Sequence, residues 1–294
     1  MADVSLSSEV EPFPYALLNP SVQTSPVVFA SPHSGRYYPP EFVAASRLDA
    51  ETLRRSEDGY VDVLFASVPK HGVPLLAAHY ARAYCDLNRE PYELDQAMFS
   101  EPLPPRANTR SPRVAAGLGT IARTVGAGME IYSSKLRVSE VERRLARCYH
   151  PYHAQLDQLL LQTREKFGWS LLVDCHSMPS AGASVWRDSP IDVVLGDSHG
   201  LACDDDFTRW VEACLEGQGF SVARNTPYSG GYTTCHYGHP ATGSHSIQIE
   251  INRSLYLDEK NLMPGPGFDR VAAAMDVLVG HLTDRAAKWQ GSGV

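Results

Sequence analysis

Two short stretches, Ser31-Pro32-His33-Ser34-Gly35 and Asp174-Cys175-His176-Ser177, each set an imidazole just after an apolar run. Two imidazoles and one carboxylate make a zinc site of the open three-ligand kind, which keeps a coordination position for water. Zinc in such a site lowers the pKa of that water to about 7 and polarises a carbonyl. Asp58, in the segment RRSEDGYVDVLF, is a candidate for the carboxylate, and its neighbour Glu57 competes for the same role. Other readings stay open at this point. A histidine in a turn beside Pro or Ser serves equally well as a hydrogen-bonding loop residue, and an acid before a helix equally favours the helix dipole. No His-x-x-Glu or His-Glu-x-x-His motif supplies the local spacing of a familiar zinc site.

Glu250 in Gln248-Ile249-Glu250-Ile251 is flanked by two isoleucines, so on a strand it faces the side of the sheet opposite to them. A carboxylate there needs a partner or a task. It can pair with Arg253, or it can act as a general base that takes a proton from water and returns it to a leaving amine. Asp86-Leu87-Asn88-Arg89 puts an amide beside a guanidinium, whose fork suits bidentate binding of a carboxylate. Tyr228-Ser229-Gly230-Gly231-Tyr232 carries two glycines that let backbone amides approach a ligand, although the pattern is no phosphate loop and a plain turn explains it as well. Cys175 beside His176 raises a thiol nucleophile as an alternative, but adjacent strand residues point to opposite faces, which disfavours that pair.

The elements that must position these residues are short apolar runs ending in polar punctuation: Pro26–Ser31, Pro74–Ala78, Ser170–Val173, Ile191–Leu195 and Ser246–Ile251. Helical spacing lies between and after them, over Ser139–Phe167, Asp205–Gln218 and Phe268–Trp289, with Pro151 expected to break or kink the first. Interleaved strands and helices predict an α/β layered fold with a largely buried sheet. In such a sheet the ligand crevice lies outside the carboxyl ends of the strands, the address of His33 and His176. The Pro- and Arg-rich segment 101–113 reads as a surface loop over or beside the site. One domain over residues 1–294 is expected.

The balance of 26 basic against 34 acidic residues, a formal charge of −8, offers no footprint for nucleic acid or an anionic membrane. Six scattered cysteines without a Cys-x-x-Cys pair indicate neither a disulfide framework nor a thiolate zinc knuckle. No run approaches the roughly 18 apolar residues of a membrane span. The acidic N-terminal stretch MADVSLSSEVEPF is unlike a signal peptide. A cytoplasmic protein is expected.

Taken together, SPHSG at Ser31, EDGYVDVLF at Glu57, DLNR at Asp86, HPYH at His150, DCHSMPS at Asp174, DVVLGD at Asp192, PYSGGYTT at Pro227 and QIEINRSLYLDE at Gln248 resemble the N-formylglutamate amidohydrolase family. They run in family order over residues 26–260. That family is similar to the zinc carboxypeptidases and aspartoacylases. The likeness implies a three-layer α/β/α fold with a mixed central sheet, of the zinc exopeptidase and phosphorylase/hydrolase-like kind. It also implies one Zn2+ per chain on His33, Asp58 and His176, with Glu250 catalytic and Asn88 and Arg89 holding the substrate. Gly230, Gly231 and His153 join the substrate-binding expectation, His153 with a role in supporting the substrate contacts or in helix packing open beside it. The implied reaction is hydrolysis of an anionic small molecule, N-formyl-L-glutamate, to formate and L-glutamate in histidine breakdown. A related amidohydrolase for another N-acyl or N-carbamoyl amino acid, and a non-catalytic anion-binding protein of the same fold, are the alternatives. The sequence departs from the carboxypeptidase pattern at one point: an acidic ligand should follow the first histidine by three residues, but Gly35 and Arg36 occupy that interval.

Overall fold

Four of the strands are apolar runs without a charged residue, and the two longest carry polar side chains among apolar ones, which fits a sheet buried on both faces but built differently on each. A computed structural model of the chain describes residues 11–126, 128–183 and 190–289. The strands are β1 (Tyr15–Leu18), β2 (Val27–Ser31), β3 (Leu75–Ala78), β4 (Ser170–Met178), β5 (Val193–Gly196), β6 (Val222–Arg224) and β7 (Ser244–Asn252). They form one sheet in the order β1-β3-β2-β4-β7-β5-β6. The ladders β2–β3, β2–β4, β4–β7 and β5–β6 are parallel and β5–β7 is antiparallel, so the sheet is mixed.

The chain groups into two compact units. One comprises Leu17–Ser31, Asp58–Ala77 and Leu156–Val294 and carries the sheet. Leu171, Val173 and Cys175 of β4 and Ile247, Ile249 and Ile251 of β7 belong to one hydrophobic core. Helices Val61–Leu64, Asp205–Gly217 and Phe268–Ala286 supply Leu64, Phe207, Val211, Leu278 and Val279 to that core. The alternate residues of β4 and β7, among them Asp174, His176, Gln248 and Glu250, therefore face the other side. The short helix Tyr232–Tyr237 packs there, against β4 and β7. Helices on both faces of a mixed sheet give this unit the expected α/β/α layering.

The other unit comprises the chain up to Ala16, Pro32–Glu57 and Ala78–Gln155. It is mostly irregular backbone, organised around buried polar groups. Arg144 is buried with its guanidinium 4.5 Å from the Tyr84 ring centroid, and it donates to the Tyr84 carbonyl at 2.9 Å and to Tyr132 Oη at 2.7 Å. Gly35 comes so close to the backbone of Tyr80 that a Cβ would lie 2.1 Å from its carbonyl oxygen, so no other residue fits this turn after His33.

Two expectations are corrected. The β4 strand does not stop before Asp174; it runs on to Met178, so His176 lies within the strand and not in the turn after it. Pro151 does not break the helical run. A π-helical segment at Leu145–Tyr149 joins Ser139–Arg144 to His150–Phe167. That turn resets the hydrogen-bonding frame so that Pro151 falls in the first turn of the following α-helical stretch, where its missing N–H costs nothing.

Candidate active site

In the sheet unit, β4 and β7 pair with His176 directly beside Glu250 and Asp174 directly beside Gln248. All nine residues of each strand are buried. Four polar side chains thus form a square patch on one sheet face. His176 Nε2 lies 2.9 Å from Asp174 Oδ2, and its Nδ1 lies 2.9 Å from Asp58 Oδ2. Burial works against a charge on the His176 ring, but Asp174 and Asp58, with Glu250 behind them, outweigh it and raise its pKa well above the ordinary value.

Asp58 is held from its other side as well. Arg253 donates through Nη2 to Asp58 Oδ1 at 2.9 Å and through Nε to Ser177 Oγ at 3.0 Å. Arg253 is thereby engaged with Asp58, the acid before the helix. Gln248 donates through Nε2 to Glu250 Oε1 at 2.7 Å and accepts at Oε1 from the Gly231 backbone N–H at 2.8 Å. The neighbouring Gly230 has φ +117°, a conformation that L side chains rarely adopt, and a Cβ there would press on Thr234. The glycine pair therefore has a structural task, which is to bring a backbone amide onto Gln248 and start the helix Tyr232–Tyr237.

In the other unit, Asp86 is the hub. Its Oδ1 lies 2.7 Å from His33 Nε2 and accepts from the Asn88 backbone N–H at 2.9 Å, while its Oδ2 accepts from Arg82 at 2.8 Å. Burial pushes Asp86 up, but Arg82, Arg89 and His33 together outweigh it and hold the carboxyl well below its usual range. The Arg89 side chain donates to the Leu118 carbonyl at 2.8 Å and to the Asn88 carbonyl at 2.7 Å. The segment is clamped from behind by Tyr149, which donates to the Arg89 carbonyl at 2.8 Å, and by His153, whose Nε2 lies 2.9 Å from the Leu87 carbonyl. His153 thereby touches the DLNR segment through its backbone. Glu57 is buried in this unit, bonded to Tyr38 at 2.7 Å and to Arg54 at 3.1 Å. Burial raises its pKa against the pull of Arg54.

The structure therefore brings Asp58, His176 and Glu250 together on the sheet, with Gly231 reached through Gln248. In the other unit it gathers His33, Asn88 and Arg89 around Asp86, with His153 on the Leu87 carbonyl. Residue reading missed Asp86, Asp174 and Gln248 as partners of the candidate residues. Two of the three carried a signal, since Asp174 and Gln248 stand two positions before His176 and Glu250 and must share their face. The thiol alternative fails on geometry: Cys175 points into the apolar core on the opposite face, and burial raises its pKa well above the usual thiol value.

A model of the family described as N-formylglutamate amidohydrolase matches residues 25–257. The chain belongs to the N-formylglutamate amidohydrolase family. Relatives include the N-formylglutamate deformylase of Pseudomonas aeruginosa, 30% identical over 238 residues that cover 80% of this chain and 83% of that protein. The enzyme of the same name from Pseudomonas putida is 29% identical over 237 residues, covering 80% and 82%. Among solved structures, the N-formylglutamate amidohydrolase of Ralstonia eutropha JMP134 superimposes with a TM-score of 0.89 at 35% identity, covering 94% of this chain and 99% of that one. Among the described residues, no helix is long and apolar enough to cross a membrane.

Proposed function

We propose that this protein hydrolyses N-formyl-L-glutamate to formate and L-glutamate, with one divalent ion, Zn2+, held by His33, Asp58 and His176. Each of the three is buried and offers one ligand atom. The donor chemistry fits a cation. Asp86 takes Nε2 of His33 and Asp174 takes Nε2 of His176, so ligation by either ring falls to Nδ1, oriented by a carboxylate behind it. Asp58, Asp174 and Glu250 also concentrate negative charge around His176. Glu57 is committed to Arg54 and Tyr38, which supports Asp58 as the acidic ligand. When bound, the ion supplies Lewis-acid polarisation of an amide carbonyl and acidifies water.

The chain's own residues do the remainder. Gln248 fixes the Glu250 carboxylate through Oε1. Glu250 takes a proton as water adds to the formyl carbon, and passes it to the amine nitrogen as the C–N bond breaks. Asn88 and Arg89 hold the substrate α-carboxylate through a fork already oriented by Leu118. The family match runs through segments of both units, which supports reading residues 1–294 as one amidohydrolase domain. A place in histidine breakdown, in the cytoplasm, follows from this substrate.

The observation that carries the proposal is the patch of Asp174, His176, Gln248 and Glu250 with Asp58 clamped onto it, in a chain of this family. The test is metal content by mass spectrometry on untagged protein, run beside formate release from N-formyl-L-glutamate with and without chelator. About one zinc per chain with chelator-sensitive release is expected. Bound zinc without formate release would overturn the substrate, and a metal-free active enzyme would overturn the metal.

A further inference from the structure

Unlike His176 and Glu250, Asp58 is not carried by a strand. It opens the turn Asp58-Gly59-Tyr60 before the short helix Val61–Leu64, where its carbonyl accepts from the Val61 N–H at 3.2 Å. Each residue of that turn is held by the segment that follows β7. Arg253 Nη2 donates to Asp58 Oδ1 at 2.9 Å, Tyr256 Oη donates to the Gly59 carbonyl at 3.0 Å, and the Tyr60 ring stands edge-on to Phe268 with centroids 6.1 Å apart.

These contacts are of two kinds. Tyr256 is buried in the main core and Phe268 packs against it, so both anchor the turn without any charge. Arg253 and Asp58 are buried as an ion pair, and the desolvation that such a pair costs means that apolar groups of similar size commonly hold a fold together as well. What the guanidinium adds is direction. Its Nε donates to Ser177 Oγ at 3.0 Å on β4, the residue after His176, so the fork is aimed and takes one carboxylate oxygen, Oδ1. The other oxygen, Oδ2, is turned to His176 Nδ1 at 2.9 Å.

We infer that Arg253 is a positioning residue that confines Asp58 to a single ligating oxygen, Oδ2. The inference rests on the reading of Asp58 as the acidic ligand. A carboxylate that is free to rotate can give both oxygens to one cation, whereas one whose Oδ1 is engaged by a guanidinium gives one. The position so spared is the one that water takes in an open three-ligand site. Arg253 thereby leaves room for the reacting water near Glu250, whose carboxylate Gln248 already holds.

The test loads the full-length protein with Co2+, whose visible absorption weakens as further ligands join a tetrahedral site. Arg253→Met keeps most of the side-chain length and loses the charge and the donors. Its Co2+ absorption should weaken relative to wild type, and formate release from N-formyl-L-glutamate should fall about tenfold or more. Its Zn2+ affinity, read by competition with a chelator, should stay at or above that of wild type. Arg253→Lys still donates to Oδ1 and should recover part of the absorption and of the rate. Tyr256→Phe loses the bond to Gly59 and should unfold at lower denaturant concentration while keeping the wild-type absorption. Should Arg253→Met fail to fold, Arg253→Gln carries the same expectations. Wild-type absorption in the Arg253 variant overturns the inference. Loss of Zn2+ from that variant also overturns it, because Arg253 would then only hold Asp58 in place, and so does a spectral change in Tyr256→Phe as large as that in Arg253→Met. A wild type that takes up neither ion overturns the ligand reading beneath it.

Discussion

His176 and Glu250 are register partners on two adjacent parallel strands, so an imidazole and a carboxylate stand side by side on one face of the sheet. Neither depends on a loop for its position. Both strands are buried along their whole length and packed through their other face into the main core, which holds the pair as rigidly as the fold allows.

Replacing Glu250 with Gln keeps the shape and removes the proton acceptor. Formate release should fall by about 100- to 10,000-fold, the range for a lost general base, while metal content stays near that of wild type. Gln248→Leu should lower kcat about tenfold with little change in KM, since it frees the Glu250 carboxylate rather than removing it. Steady-state kinetics with metal analysis decides, and full turnover in Glu250→Gln would exclude its catalytic role.

Adjacent acids have separate fates here. Asp58→Asn should weaken metal affinity on the order of 100-fold or more, because Asp58 lies against His176. Glu57→Gln should leave affinity near that of wild type and instead loosen the contact with Tyr38 and Arg54. Competition with a zinc chelator reads both, and the opposite order of effects would move the ligand to Glu57.

Cys175→Ala tests the thiol directly. Its side chain belongs to the apolar core behind the sheet, so the variant should lose about 1 to 2 kcal/mol of stability and retain its kcat per folded molecule. Denaturant melts beside active-site titration measure the two separately. A folded variant without turnover would restore the nucleophile.

His245 links stability to pH. It sits among Trp169, Phe207 and Trp289 with its Nδ1 accepting from the Asp204 N–H at 3.2 Å, and burial pushes its pKa from 6.5 down to about 4. Between those two values the unfolded chain binds the proton and the folded protein does not. Its contribution is therefore complete above pH 6.5 and lost as the pH falls towards 4. The thermal midpoint should drop over that window, and His245→Phe should flatten the drop. An unchanged pH dependence in the variant would assign the effect to other groups.

Much of this was legible along the chain because strand periodicity is local. Glu250 between two isoleucines, and His176 beside Cys175, announce their faces through alternation alone, and the structure keeps both assignments. The same rule covers Asp174 and Gln248, two positions upstream, yet both were passed over as partners. His33 was found by its place after an apolar run, but its partner Asp86 stands 53 positions away and carries no local mark of that contact. His153 read as a substrate residue or a support, and its Nε2 lies 2.9 Å from the Leu87 carbonyl, 66 positions away.

The sequence by itself indicated five of the seven sheet strands, the face that the residues of the two longest present, and through eight ordered motifs the family. These follow from steric alternation and from residue types, which act over a few positions. Only the tertiary structure decided which groups meet. Glu57 and Asp58 are neighbours of the same chemistry, yet Tyr38 and Arg54 claim one, while His176 and Arg253, 118 and 195 positions away, claim the other. A buried charge must find its partner wherever the fold brings one, and that choice is made by burial and distance in space rather than by spacing in the chain.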